Sequence, residues 1–193
     1  PDGGVVIEQQ TRYPWDGDVR LRLSAARPSR FTLLLRVPGW SQGKPVPGDL
    51  YRGLEPVRDA VALKVNGLLV PIRLERGFAA ITREWASGDT VDLHLPMPVR
   101  RVVSHPAVRA DEGRVAIERG PIVYAAESVD HGGRVTNLVL DDRAPLTAEW
   151  RPSELGGIVA VTGRATALTQ KGGAVLTQSV PLTLKNYVKT PCC

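Results

Sequence analysis

The sequence predicts an all-β protein made of two tandem antiparallel β-sandwich domains of jelly-roll-like type. Short segments in which apolar and polar residues alternate recur along the chain, as in half-buried strands. Glycine and proline supply 19 and 16 of the 193 residues and separate these segments as turns, while helical periodicity is weak throughout. We place the first sandwich at residues 1–103 and the second at residues 104–193, which end in an atypical tail.

The first half opens with two segments that predict strands. The run from Val5 to Gln10 predicts the first strand. Val19, Leu21 and Leu23 then alternate with arginines and aspartate, which is typical of a strand with one buried face. Asp16-Gly17, between the two segments, predicts a tight hairpin turn.

A more apolar segment and a second turn signal follow. Phe31 to Val37 is almost continuously apolar, which predicts a central strand. Residues 41–60 are rich in Gly, Pro and charged residues and predict a long loop. Asn66-Gly67 is the strongest two-residue hairpin signal in the chain. Later strands of this half are predicted at Phe78 to Ile81, Thr90 to Leu95 and Pro98 to Val103.

The second half is organised around the segment from Arg114 to Glu127. Its β-branched and aromatic residues alternate with charged ones, and Gly120-Pro121 interrupts the alternation. Because proline cannot donate to a sheet ladder, we expect two short strands joined at a kink or bulge. Residues 104–113 predict a polar link before it, and Pro152 to Leu155 fits either one helical turn or a loop. Further strands are predicted at Val135 to Leu140, Pro145 to Trp150, Ile158 to Ala167 and Ala174 to Leu184.

Charge, hydropathy and cysteine usage exclude several classes of protein. Lys and Arg number 25 against 20 Asp and Glu, a net charge of +5, but the basic residues are scattered, so we expect no nucleic-acid partner. No run approaches the roughly 18 apolar residues of a membrane span, so we expect no membrane association. Cys192 and Cys193 are adjacent and provide no disulfide framework.

Two carboxylates are candidates for catalysis, Glu118 and Asp16. Two carboxyl groups about 5 to 10 Å apart can work on one scissile bond, one of them kept protonated by its surroundings. Glu118 is the stronger candidate if its side chain is buried, whereas strand alternation directs that side chain to solvent. Asp16 flanks the turn glycine, where aspartate is also favoured simply because it forms turns.

An exposed aromatic surface is the second kind of candidate site. The C–H bonds of a sugar ring pack on aromatic faces while its hydroxyl groups meet polar side chains. Tyr13 and Trp15, together with Arg12, form the best such substrate-binding platform in the sequence. The alternative is that Trp15 and Trp40 are core residues that close the end of a sandwich.

Six motifs follow one another along the chain. They are T-R-Y-P-W-D-G from Thr11, L-R-V-P-G-W-S from Leu35, V-N-G from Val65, W-A-S-G-D-T-V from Trp85, L-P-M-P-V-R from Leu95 and G-R-V-A-I-E-R-G-P-I-V-Y from Gly113. In order and spacing this set resembles the β-sandwich region of glycoside hydrolase family 127, over about residues 5–170.

The resemblance implies enzymes of the β-L-arabinofuranosidase type, in which an (α/α)₆ barrel carries catalysis and β-sandwiches follow it. It implies that this chain corresponds to the sandwiches alone, because the family's acid/base glutamate and its zinc site of one glutamate and three cysteines lie in the barrel. Cys192 and Cys193 resemble the paired cysteines of that zinc site but follow the sandwiches, and two thiolates are too few for tetrahedral zinc. We therefore expect no metal and no other cofactor.

These observations predict the sandwich portion of a family 127-like glycoside hydrolase acting on arabinofuranosides or related plant glycans, accessory here rather than catalytic. One alternative is a free-standing glycosidase or esterase with a site between the sandwiches, and another is a carbohydrate-binding module. The expected partners are carbohydrate and the missing helical barrel domain. An apolar patch left by that domain would favour a homo-oligomer. We expect a soluble protein of the bacterial cytoplasm or periplasm.

Overall fold

The computed structural model describes residues 4–186, which form sixteen strands and three short 3₁₀ helices. The predicted all-β class is confirmed, and strand pairs in this range are antiparallel. The chain divides into two compact units. One runs to Pro98 and includes Val102–Arg114, and the other comprises Val99–Arg101 and the chain from Val115 onward. None of the helices within residues 4–186 is long and apolar enough to cross a membrane.

Ten strands lie wholly or partly in the first unit. They are β1 (Val5–Thr11), β2 (Asp18–Ala25), β3 (Ser29–Arg36), β4 (Tyr51–Gly53), β5 (Ala62–Val65), β6 (Leu68–Leu69), β7 (Leu74–Glu75), β8 (Phe78–Trp85), β9 (Thr90–His94) and β10 (Val99–Ser104). One sheet has the order β1-β2-β9-β5-β6 and a second the order β3-β8-β7, while β4 pairs with the end of β10.

The two larger sheets of the first unit share one apolar core. Alternation directs Leu21 and Leu23 of β2 inward, as their spacing predicts. Trp85 of β8 is fully buried, its ring lies 5.8 Å from that of Phe31, and its indole N–H donates to the Phe31 carbonyl oxygen at 3.2 Å. The buried core residues are Leu21, Leu23, Leu35, Val37, Leu63, Val65, Ala79, Ile81, Trp85, Val91, Leu93 and Leu95.

The two predicted hairpin turns have different outcomes. Asn66 and Gly67 connect β5 and β6 with φ values of 51° and 79°, so both adopt the positive φ that a two-residue turn requires, and this prediction is confirmed. The tight turn at Asp16-Gly17 is wrong, because β1 and β2 are joined by a six-residue loop, residues 12–17. Gly17 is needed for a different reason: a Cβ there would lie 1.8 Å from the carbonyl oxygen of Leu95.

The strand from Ser29 to Arg36 differs in position from the prediction. Its apolar run predicts a central strand, but among the described residues β3 pairs only with β8 and ends its sheet. Leu33 and Leu35 face the core, whereas Leu34 is 58 % exposed. The run is apolar because its core-facing residues are interrupted by a leucine that is exposed, and not because both faces of the strand are buried.

The second unit contains the start of β10 and six further strands. They are β11 (Ala116–Arg119), β12 (Ile122–Ala126), β13 (Leu138–Val139), β14 (Thr147–Arg151), β15 (Ile158–Lys171) and β16 (Ala174–Lys185). Their order is β13-β15-β16-β12-β11-β10, and β14 also pairs with β15. Residues 152–157 form a loop, so the helical alternative there does not apply.

Two hairpins dominate this unit. Arg119 pairs with Ile122 across Gly120-Pro121, so the predicted kink is a two-residue turn between β11 and β12. The β15–β16 hairpin is much longer, with consecutive pairs from Val161↔Leu184 to Lys171↔Ala174 and a turn at Gly172-Gly173. Its outer half is largely exposed.

Candidate functional site

The loop between β1 and β2 carries most of the residues predicted for sugar binding. The Tyr13 N–H donates to Thr11 Oγ1 at 3.0 Å, and the Trp15 N–H donates to the Arg12 carbonyl oxygen at 2.8 Å. The Tyr13–Pro14 peptide bond is cis. The two hydrogen bonds hold the loop backbone at Tyr13 and Trp15.

Tyr13 stacks against Trp40, which lies in the 3₁₀ helix Gly39–Gln42. The ring centroids are 6.4 Å apart with an interplanar angle of 29°. Tyr13 is 41 % exposed and Trp40 is half-buried. Partial burial raises the pKa of the Tyr13 phenol, and a hydrogen bond with the Trp40 side chain opposes that rise. The Tyr13–Trp40 stack thus offers an apolar surface with one polar edge.

The other residues of the loop have structural environments. Trp15 is 7 % exposed, as the core alternative for this residue predicts, so its ring offers no free face. The Arg12 Nε donates to Asp16 Oδ2 at 2.8 Å, and the Asp18 N–H donates to Asp16 Oδ1 at 3.3 Å. Both oxygens of the Asp16 carboxylate are therefore used to hold the loop.

An apolar groove lies beside this loop. It has a volume of about 440 Å³, and its lining residues include Ile7, Tyr13, Leu33, Leu34 and Pro38. The groove is lined by residues of β1, β2, β3 and β9 and reaches the Tyr13 ring.

A second depression of about 560 Å³ lies on the outer face of the five-stranded sheet. Arg20 and Asp92 form a cross-strand ion pair there, with Arg20 Nε 2.6 Å from Asp92 Oδ1, and His94 Nδ1 is hydrogen-bonded to Asp18 Oδ1 at 2.6 Å. Asp92 raises the pKa of the Arg20 guanidinium by accepting its hydrogen bond. Polar side chains on neighbouring strands thus contact one another, which is typical of a solvated sheet face.

Glu118 lies in the interior of the second unit. It is 7 % exposed, and its carboxylate Oε1 lies 3.5 Å from Arg100 NH2. Burial raises the pKa of Glu118, while the Arg100 charge lowers it. The expectation of a solvent-facing side chain is wrong, because β11 is covered on both faces at Ile117 and Glu118. The Glu118 Oε1 and the Arg100 Nε find no hydrogen-bond partner within the described chain.

The two candidate carboxylates lie in different units, Asp16 in the first and Glu118 in the second. Among residues 4–186 no group of three or more His, Cys, Asp or Glu side chains is arranged to hold a metal ion. Cys192 and Cys193 lie outside the described residues. Catalysis by Glu118 or Asp16, and sugar binding by Arg12, Tyr13 and Trp15, stay predictions.

Sequence reasoning missed two partners that define these sites. Trp40 lies 27 positions after Tyr13 in the sequence, and no periodicity signals that their rings meet. Arg100 belongs to the only Arg-Arg pair of the chain, which composition assigns to a scattered basic surface. One signal for this contact was present in the sequence. Arg100 and Glu118 are oppositely charged, and each stands in a segment of mostly strand-forming residues.

Two protein-family models together match most of the chain. The model described as "Beta-L-arabinofuranosidase, GH127 middle domain" matches residues 1–97. The model described as "Glycoside hydrolase family 127 C-terminal domain" matches residues 99–185.

Individual relatives agree with these models. The chain is 35 % identical over 166 residues to a non-reducing end β-L-arabinofuranosidase of Bifidobacterium longum subsp. longum, a match to 82 % of this chain and 22 % of that protein. A solved family 127 β-arabinofuranosidase shows 40 % identity and a TM-score of 0.90 over 96 % of this chain and 29 % of its own. A solved β-L-arabinofuranosidase of Geobacillus stearothermophilus T6 shows 38 % identity and a TM-score of 0.80. That match covers 96 % of this chain and 28 % of the other. The chain thus spans less than a third of each relative.

Proposed function

The chain belongs to glycoside hydrolase family 127, and from this premise we propose that it is the accessory sandwich portion of an enzyme that hydrolyses arabinofuranosides or related plant glycans. The observation that carries the proposal is the pair of family matches, a middle domain at residues 1–97 and a C-terminal domain at residues 99–185. The catalytic groups then belong to the polypeptide that the relatives carry outside the matched region, which is most of their length.

The interior of the chain supports an accessory role. Glu118 is a buried carboxylate whose charged neighbour is Arg100, and Asp16 is engaged by Arg12 and by the Asp18 amide. A glycosidase presents two carboxyl groups to the sugar from either side of the scissile bond. The contacts of these two carboxylates therefore support a structural role for them, as the proposal requires.

A chimera tests this proposal directly. The matched region of the Bifidobacterium relative is replaced by this chain, and hydrolysis of p-nitrophenyl β-L-arabinofuranoside is compared for the chimera, the same relative lacking the region, and the isolated chain. We expect turnover from the chimera alone. Hydrolysis by the isolated chain that is lost in Glu118→Gln or Asp16→Asn would favour the free-standing hydrolase instead, and a folded but inactive chimera would contradict the accessory role.

The Tyr13–Trp40 stack favours a second function, binding of arabinose-containing oligosaccharides by the sandwich itself. An aromatic face that is 41 % exposed beside a phenol hydroxyl suits the apolar face and hydroxyl edge of a sugar. Titration calorimetry with arabino-oligosaccharides should show heat for the chain and for Trp150→Ala, a control that removes a tryptophan 45 % exposed, but not for Tyr13→Ala. Equal heats in both variants would exclude this site.

A further inference from the structure

The first unit is an unequal sandwich. Its two larger sheets contain five and three strands, and β1 and β3 are end strands of these sheets in the described chain. Ile7 pairs with Leu23 and Gln9 with Leu21, so both β1 residues face the same side as two core leucines. Yet Ile7 is 42 % exposed, whereas Leu23 is fully buried. The core side of β1 therefore extends past the edge of the opposite sheet and lacks a cover.

The edge of β3 that faces away from β8 carries backbone N–H and C=O groups that no strand of the described chain pairs with. The Val37 N–H donates to the Gly77 carbonyl oxygen at 2.9 Å, one position beyond the pair Arg36↔Phe78. Hydrogen-bonded and non-hydrogen-bonded pairs alternate in an antiparallel ladder, so Thr32 and Leu34 have their N–H and C=O groups turned away from β8. The 2.8 Å contact between the Thr32 and Thr82 hydroxyls is independent support, because side chains approach closely in non-hydrogen-bonded pairs.

The apolar groove occupies the space next to this edge. Its lining includes Ile7 from β1, Leu33 and Leu35 from β3, and Leu95. A strand laid beside β3 would lie about 4.8 Å from it and place every second side chain toward the five-stranded sheet. Those side chains would cover Ile7, and the alternate ones would lie next to Leu34, which is 58 % exposed.

We propose that this groove is a strand slot, defined by the β3 edge and the uncovered side of Ile7, and that it takes up one extended segment of the polypeptide that the relatives carry outside the matched region. The segment pairs with β3 and points apolar residues at Ile7, Leu33 and Leu35. This inference rests on the proposed function, since it needs the rest of the enzyme. The supporting fact is length, because the chain corresponds to only 22 % of the curated relative, so most of that polypeptide is available as donor. Exposed Arg30 at the start of β3 favours an acidic residue in the segment opposite it.

Synthetic peptides of about 12 residues, long enough to span the eight residues of β3, are prepared as an overlapping set from the Bifidobacterium relative outside its matched region. Each is added to the isolated chain and hydrogen exchange is measured by NMR. We expect one short stretch of that sequence to bind and to slow exchange at the Thr32 and Leu34 amides. Absence of slowed exchange at these amides with every peptide would overturn the slot.

Two adjacent residues of β1 provide a matched pair of variants. Ile7→Glu puts a charge into the slot, whereas Val6→Glu alters the neighbouring residue, which is 65 % exposed and faces the other side of the sheet. We expect Ile7→Glu to weaken peptide binding by about tenfold or more and Val6→Glu to leave it within about twofold. Leu34→Pro is the second variant, because it removes an outward N–H of an edge strand and not a β3–β8 bond. It should also abolish binding, and equal binding by all three variants would overturn the proposal.

The chimera separates this inference from the proposed function. If the chimera is active but its Thr32 and Leu34 amides exchange as fast as in the isolated chain, the slot is wrong and the accessory role stands. If the chimera folds and is inactive, the accessory role is contradicted, whatever the exchange rates of these two amides. A concentration-dependent dimer of the isolated chain that Ile7→Glu abolishes would identify a second copy as the occupant and would likewise overturn the proposal.

Discussion

The two units of this chain bury different kinds of side chain. Of the buried residues described in the first unit, Ser41 is the only polar or charged one, and the rest are apolar. The second unit buries Arg100, Arg101 and Glu118 beside its apolar residues. An apolar interior gains stability from removed surface alone, whereas a buried charge stabilises only when its partners are correctly placed. The units should therefore respond to substitution in different ways.

The largest expected effect is in the apolar unit. Trp85→Ala removes a fully buried ring and the hydrogen bond to the Phe31 carbonyl oxygen, and should lower the free energy of unfolding by about 3–5 kcal/mol. Urea denaturation followed by circular dichroism measures this. Trp85→Phe is the control, because it keeps an aromatic ring, and its cost should be clearly smaller. Equal losses would show that the hydrogen bond and not the packed ring is decisive.

The charged interior gives the next effect. Glu118→Leu leaves Arg100 buried without its 3.5 Å partner and should cost about 3 kcal/mol, near the low end for a broken buried pair because the contact is long. The double variant Arg100→Met with Glu118→Leu removes both charges and should recover most of that loss. A double variant no more stable than the single one would mean that the pair is not coupled.

A third change tests close packing of backbone against backbone. Gly17→Ala places a methyl group 1.8 Å from the Leu95 carbonyl oxygen, so either the loop or the segment that follows β9 has to move, at a cost of about 1–3 kcal/mol. Gly4→Ala is the matched control, since a Cβ there meets nothing within 4 Å. Thermal unfolding of both variants measures the difference, and equal melting temperatures would show that the loop shifts freely.

The smallest effects are of opposite sign in the two units and depend on pH. Hydrogen bonds from the Ala86 amide and Asn66 lower the pKa of Asp89, so its stabilising contribution is present above its ordinary value of 3.8 and is lost as pH falls through the folded value. Burial raises the pKa of Glu118 above 4.5. Its contribution is complete below 4.5 and is lost as pH rises through the folded value.

Denaturation from pH 3 to 7 separates the two carboxylates. Asp89→Asn should remove part of the loss of stability at acid pH. Glu118→Gln should remove part of the loss of stability that occurs as pH rises above 4.5, the ordinary glutamate pKa. If the two variants changed the pH profile in the same direction, the contrast between the units would not hold for their carboxylates.

Local patterns predicted most of this fold, and long-range contacts were beyond them. Asn66-Gly67 determines its own turn through two positive φ values, so a dipeptide was sufficient. The position of β3 at the end of a sheet depends on which strands pair, and an apolar run such as Phe31 to Val37 carries no information about neighbours. The resemblance to family 127, carried by colinear motifs, supplied the identity that periodicity lacks.

The candidate sites were less predictable because each needs two distant segments. Tyr13 was identified from its own loop, but its partner Trp40 comes from the helix after β3. Glu118 was recognised as a carboxylate of interest, whereas its burial depends on cover supplied to both faces of β11. Alternation assigns side chains to faces, and only tertiary packing decides which faces are covered.

The β15–β16 hairpin provides a site at which a label can be inserted. Its Gly172-Gly173 turn lies at the far end of a long run of paired residues, and a Cβ at either glycine meets nothing within 4 Å. A fluorophore or an affinity tag inserted at this turn would therefore meet no neighbouring atoms and would be separated by the length of the hairpin from the buried charges of the second unit.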